Sequence, residues 1–157
     1  MRTVEESKQL FRRTVVIGAA ILCSLPVYAV LVEILRFRLK PFHGFSQIPW
    51  GQVQTVRYLI YGLAIAFIVF IRLLRGRQLR VVPGEDPRKI LMRLMRISVV
   101  TFVLAEIPGL LGLILFLIAG MNKDFYILLF ISLILEFMYF PRYAQWEDAL
   151  SRGRGAC

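Results

Sequence analysis

Three acidic residues stand inside or at the ends of long apolar runs: Glu33, Glu106 and Glu136. A charge at the centre of a bilayer costs roughly 2.5–3.5 kcal/mol on insertion scales, so an acid there has a partner or a function. The helix rise places Glu106 about 13 Å beyond Ile97, where its apolar run begins, and so near the bilayer centre. Glu106 is therefore the first candidate for a proton or cation site.

The residues around Glu106 favour a kinked helix with a close neighbour. Pro108 lacks an N–H group and leaves the carbonyl of Leu104 without its helical donor. Ala105, Gly109 and Gly112 form a small-residue face against which another helix can pack. The segment predicts an ion site, or a protonated acid that holds helices together, and both alternatives stay open.

The other two acids lie near the ends of their runs. Glu33 and Arg57 are both expected near the outer surface, and Glu136 near the inner surface within reach of Arg72 or Arg75. We predict interfacial ion pairs at both places, and three different depths for the three acids. A paired-carboxylate enzyme site is therefore not expected.

Catalytic and metal-binding patterns are not apparent in the sequence. Cys23 and Cys157 do not form a Cys-x-x-Cys motif, and His43 has no evident metal partner. We expect no enzyme activity, no metal and no cofactor.

The hydrophobic fraction of the chain is 58% and its mean hydropathy is +0.67. Four apolar runs predict membrane spans at about residues 14–35, 55–74, 97–121 and 125–141, the first of them uncleaved. The predicted fold is an all-α integral membrane four-helix bundle, with one domain at 1–150 and a disordered tail at 151–157.

Basic residues predict the orientation. Of the 20 Lys and Arg residues, 15 lie in the N-terminal tail, the central segment or the C-terminal tail, and five lie on the other side. The positive-inside rule then places both termini in the cytoplasm of a bacterial inner membrane. The net charge of +10 favours anionic lipid headgroups over nucleic acid. The predicted lipid contacts are Arg75, Arg77, Arg80, Arg88, Lys89, Arg93 and Arg96.

The central loop has a helix start of its own. Residues 82–85 read as a turn, followed by Asp86 as a helix cap and Pro87 in the first helical position. Apolar residues recur at helical spacing through residues 90–95 among basic ones. We predict an amphipathic cytoplasmic extension of the third helix.

Residues 22–27 (LCSLPV) faintly repeat residues 104–109 (LAEIPG). A two-plus-two duplication would give parallel repeats, but chance similarity between apolar helices explains six residues better.

The stretch 86–120, basic and then apolar with Ala105-Glu106-Ile107-Pro108-Gly109, resembles the second helix of the ATP synthase c-subunit proteolipids. The resemblance implies that Glu106 carries a proton or sodium ion and that spans two and three form the hairpin. The chain departs from that family in its longer loop, its two additional spans and the single glycine, Gly62, within residues 58–71.

Two functions follow from the sequence. The first is a non-catalytic accessory or assembly subunit of a larger membrane complex, with a membrane-protein partner or a second copy bound to its small-residue faces. The alternative is an ion-translocating proteolipid or small transporter that uses Glu106.

Overall fold

The computed structural model describes residues 2–40, 42, 44–45, 50–78 and 86–141. This part of the chain is all-α, with no strand, which confirms the predicted four-helix bundle. The helices are α1 (Arg2–Arg38), α2 (Trp50–Gln78), α3 (Pro87–Ala119) and α4 (Asn122–Tyr139).

Helix α3 is the centre of the bundle, because α1, α2 and α4 each pack against it. Its contact with α4 is the most extensive, whereas α1 and α4 touch only lightly. Buried apolar residues from α3 and its neighbours form clusters along its length, for example Leu115 with Leu128 and Ala105 with Ile71. A side chain that points inward from α3 therefore meets at least one other helix.

A tight turn joins α3 to α4 and makes them antiparallel. Gly120 ends α3 with a φ of 66°, in the left-handed region that glycine adopts without strain. Its N–H donates to the carbonyl of Phe116 at 2.8 Å, and the N–H of Asn122 donates to the carbonyl of Gly120. This turn sets the register in which the polar residues of α4 face α3.

The N-terminal extension of α3 begins where the Asp86-Pro87 pair predicts. The N–H groups of Lys89 and Ile90 donate to the carbonyl of Asp86 at 2.9 and 3.2 Å. Buried Ile90, Leu91 and Leu94 pack against Leu10 and Phe11 of α1, with Met95 beside them. This packing explains why α1 begins at Arg2, well before the predicted span start at residue 14.

Three helices are long and apolar enough to cross a membrane: Lys8–Arg38, Gly51–Gly76 and Lys89–Ala119. Their outward faces expose large apolar side chains such as Val27, Leu59 and Val103, which suits contact with lipid. The chain is therefore a membrane protein. Helix α4 has 18 residues, or about 27 Å, and three of them are charged, so its crossing stays a prediction.

Several predictions fall outside the described residues: the turn at 82–85, His43, and the tail at 151–157.

Candidate functional site

The carboxyl group of Glu106 binds two hydroxyl groups of α1. Ser24 Oγ and Tyr28 Oη each donate to Glu106 Oε1 at 2.5 Å. Ser24 Oγ also lies 2.7 Å from the carbonyl oxygen of Ile21, one turn back in its own helix. The acid on α3 is thus held by two donors on the facing helix, and all three residues are at least partly buried.

The spacing of the donors explains how one carboxyl reaches both. Ser24 and Tyr28 are four residues apart, so they lie on the same face of α1, one turn from each other. Leu25 on that face packs against Gly109, and Phe102 packs against Gly18, so α1 and α3 run parallel. Ser24 and Glu106 differ by 82 residues, the same offset that relates the similar stretches 22–27 and 104–109.

A hydroxyl of α4 reaches the interrupted part of α3. The fully buried Ser132 donates through Oγ to the carbonyl oxygen of Ala105 at 2.5 Å. Pro108 leaves the Leu104 carbonyl without its helical donor, and Ser132 binds the carbonyl next to it.

The small residues of α3 lie against α4. A Cβ atom added at Gly109 would stand 3.3 Å from Ser132 Oγ. One added at Gly112 would stand 3.0 Å from Leu128 Cβ and 3.1 Å from the carbonyl oxygen of Phe125. Both glycines therefore give α4 the close approach that brings Ser132 and its neighbours to the site.

Glu136, one turn beyond Ser132, is fully buried. Neither of its carboxyl oxygens has a hydrogen-bond partner in the part of the chain that the structure describes. Because Ser132 Oγ binds the carbonyl of Ala105, Glu136 lies on the turn of α4 that faces the Glu106 turn of α3. Arg72 is exposed, Arg75 lies over the Tyr139 ring, and the Glu136 oxygens have no partner, so the described structure does not contain the interfacial pair predicted for Glu136. The reason is helix register: α4 turns Glu136 inward towards α3 and α1.

The end of the bundle at the α3–α4 turn, which the charge distribution predicts to be the outer end, carries a second polar cluster, between α2 and α4. Arg57 Nη2 lies 2.8 Å from Asp124 Oδ1, and Tyr61 Oη donates to the same oxygen at 2.9 Å. The Arg57 guanidinium also lies over the Tyr61 ring, 5.9 Å from its centroid. Asp124 is buried in the first turn of α4, where the helix dipole favours an anion.

The predicted pair of Glu33 with Arg57 is therefore wrong. Glu33 accepts a hydrogen bond from Tyr126 Oη of α4 at 2.5 Å and lies 3.5 Å from Arg36. Arg57 is on α2, which packs against α3 and has little or no direct contact with α1. The nearer acid for Arg57 is Asp124.

The inner end holds the basic residues. Arg75 lies over the ring of Tyr139 at 4.7 Å, so it ties α2 to α4. Lys89 and Arg96 are exposed on the extension of α3, and Arg93 is half-buried there. The side chains of Arg77, Arg80 and Arg88 lie outside the described residues. Contact of this basic surface with anionic lipid stays a prediction.

Metal-binding geometry is absent from the described residues, in which no group of three or more His, Cys, Asp and Glu residues could hold a metal ion. The polar groups of this site are the carboxyls of Glu106 and Glu136, the hydroxyls of Ser24 and Tyr28 on α1, and the hydroxyl of Ser132 on α4. Such a set can bind, share or release a proton, or supply oxygen ligands to a small monovalent cation.

The sequence did not single out Ser24, Tyr28, Ser132 or Asp124. A signal existed for the first two, because they stand one helical turn apart in a span and flank Pro26. Asp124 was read as part of a turn, and Ser132 is one hydroxyl in an apolar run. Their roles depend on helix packing that one sequence does not specify.

No family model, no curated protein and no solved structure matches this chain.

Proposed function

We propose that the chain is a multi-pass protein of the bacterial inner membrane that binds and passes a proton or monovalent cation at Glu106, without enzymatic activity. One observation carries the proposal: the carboxyl of Glu106 lies in the bundle with Ser24 and Tyr28 both donating to it. The predicted topology is four spans with both termini in the cytoplasm.

Physical chemistry favours this function over simple helix adhesion. An intramembrane carboxyl is costly, and a purely adhesive role is served by hydroxyl pairs at a lower cost. The resemblance of residues 86–120 to the second helix of c-subunit proteolipids supports the same role for Glu106.

Reconstitution tests the proposal directly. The purified protein is placed in liposomes that contain a pH-sensitive dye, and a potassium diffusion potential drives proton entry. We expect acidification with the wild type, little with Glu106→Gln, and wild-type rates with Glu33→Gln, which changes an exposed acid. A second assay, with a sodium gradient and a sodium-sensitive dye in place of the potassium diffusion potential and the pH dye, distinguishes the two ions. Wild-type liposomes as tight to both ions as empty ones would contradict the proposal.

An accessory subunit is the second candidate, and one observation favours it. Gly62 and Ala66 form a small-residue step on the exposed face of α2, and a Cβ atom at Gly62 would meet nothing within 4 Å. Inside a membrane such a step lets a helix of a partner or a second copy approach closely.

Co-purification tests this second function. A tagged wild-type protein, gently solubilised, should elute with a partner or as an oligomer, and Gly62→Leu should release it. Gly51→Ala, on the same helix and equally open, is the matched control. A wild-type protein that elutes alone as a monomer would contradict the accessory role and leave the ion-binding proposal unaffected.

A further inference from the structure

Glu136 is a titratable group that the function proposed for Glu106 does not use. Its side chain is 0% exposed, and its two oxygens have no hydrogen-bond partner among the described residues. A buried carboxylate without donors is one of the least stable arrangements that a protein interior can hold. The group therefore needs a proton or a cation.

The two carboxyls of the site differ in their hydrogen-bond donors. Glu106 accepts from Ser24 and Tyr28, and hydroxyl donors stabilise the charged form of a carboxyl. Glu136 has no such donor, although it stands one turn from Ser132, whose hydroxyl is used by the carbonyl of Ala105. Ser132 binds the carbonyl of Ala105, the residue before Glu106, so the two carboxyls lie on facing turns of α4 and α3, where two negative charges would repel each other.

The charged groups on the surrounding helices do not change this asymmetry. On α1 the phenol of Tyr28 donates to Glu106, the other carboxyl of the site. From α2, Arg75 is stacked on Tyr139 and Arg72 is exposed. No described Lys or Arg forms an ion pair with Glu136.

We propose that Glu106 and Glu136 form one proton-storing carboxyl pair, in which Glu106 carries the negative charge and Glu136 carries the proton. This inference rests on the function proposed for Glu106 and adds a second ion-binding residue to it. It also assigns the pair a ligand, the proton, because neither oxygen of Glu136 has a hydrogen-bond donor among the described residues to stabilise a negative charge.

Infrared spectroscopy tests the assignment, since the C=O stretch of a protonated carboxylic acid is separate from the bands of carboxylates. The full chain is measured in lipid at neutral pH, with D2O exchange to identify the acid band. We expect an acid band in the wild type that disappears in Glu136→Gln and persists in Glu106→Gln and Glu33→Gln. Glu136→Asp keeps the acid and should shift the band without removing it, and far-UV circular dichroism confirms that each variant is helical.

Two results would overturn the proposal: a wild type with no acid band, or a band that is lost in Glu106→Gln and kept in Glu136→Gln. The outcome of the liposome flux assay is independent of the outcome of the infrared measurement. Liposomes without Glu106-dependent flux, combined with an acid band that belongs to Glu136, would reject the transport function and support the proton-storing pair.

Discussion

Single hydroxyl groups determine what Glu106 can do. A carboxyl in an apolar bundle takes its properties from its donors, and Ser24 and Tyr28 supply two of them on one oxygen. Ser132 could have supplied a third, but it binds the Ala105 carbonyl next to the Pro108 interruption.

Removal of one donor should weaken the bundle measurably. We expect Tyr28→Phe to lower the free energy of unfolding by about 1 kcal/mol, between the ~0.6 typical of interhelical bonds in membranes and the ~1.5–3 for bonds to charged groups. SDS-induced unfolding in mixed micelles measures this change in the free energy of unfolding. Tyr58→Phe, which removes the hydroxyl of an exposed tyrosine on α2, is the control and should change little.

The outer cluster should contribute more than any exposed ion pair. The Asp124 side chain is 7% exposed and that of Arg57 is 39% exposed, so loss of Arg57 leaves a buried carboxylate with Tyr61 alone. We expect Arg57→Gln to lower the free energy of unfolding by about 1–2 kcal/mol, below the ~3–5 of a fully buried pair because Arg57 is partly solvated.

Arg36→Gln is the matched control for this cluster. Its pair with Glu33 is half-exposed and 3.5 Å long, so we expect a loss of less than about 0.5 kcal/mol. Equal losses in the two variants would show that the Asp124 cluster does not stabilise the bundle more than a surface pair does.

At the scale of the helices, the sequence predicted which segments are helical, but it did not predict which side chains meet between helices. Long apolar runs require helices in a bilayer, and Asp86-Pro87 marks a helix start, so these features follow from local chemistry. Which acid meets which base depends on helix rotation and order around α3. That is why Glu33 with Arg57 and Glu136 with Arg72 were predicted from depth alone, whereas the structure pairs Arg57 with Asp124 and turns Glu136 inward.

The two small-residue faces make a matched test of helix packing. Leucine at Gly112 would collide with Leu128 and the backbone of Phe125, and overpacking of this kind costs about 1–3 kcal/mol. Leucine at Gly62 meets open space, so the monomer should lose nothing and gain up to about 1 kcal/mol from helix propensity. The same SDS titration measures both variants. A large loss in Gly62→Leu and none in Gly112→Leu would contradict the packing of α3 on α4.

At the scale of the whole molecule, α4 is the element on which topology depends. It is the shortest of the four helices, and its charged residues Lys123, Asp124 and Glu136 distinguish it from the three helices that qualify as spans by length and composition. The structure accounts for two of those charges: Asp124 is paired at the outer end, and Glu136 is buried in the interior of the bundle. With both charges turned away from lipid, the remaining surface of α4 is apolar, including Phe130, Ile134 and Phe137.

We therefore expect α4 to cross the membrane, which thiol labelling can establish. Phe45 is exposed in the segment between α1 and α2, and Cys157 lies outside the described residues at the far end of the chain. In a Cys23→Ala background, single thiols at Phe45→Cys and at Cys157 are exposed to an impermeant maleimide in intact cells and in inverted vesicles. Four spans place the two thiols on opposite sides, with Phe45→Cys labelled in cells and Cys157 only in vesicles. Labelling of both from the same side would leave three spans and a surface-bound α4, and would remove Glu136 from the membrane interior.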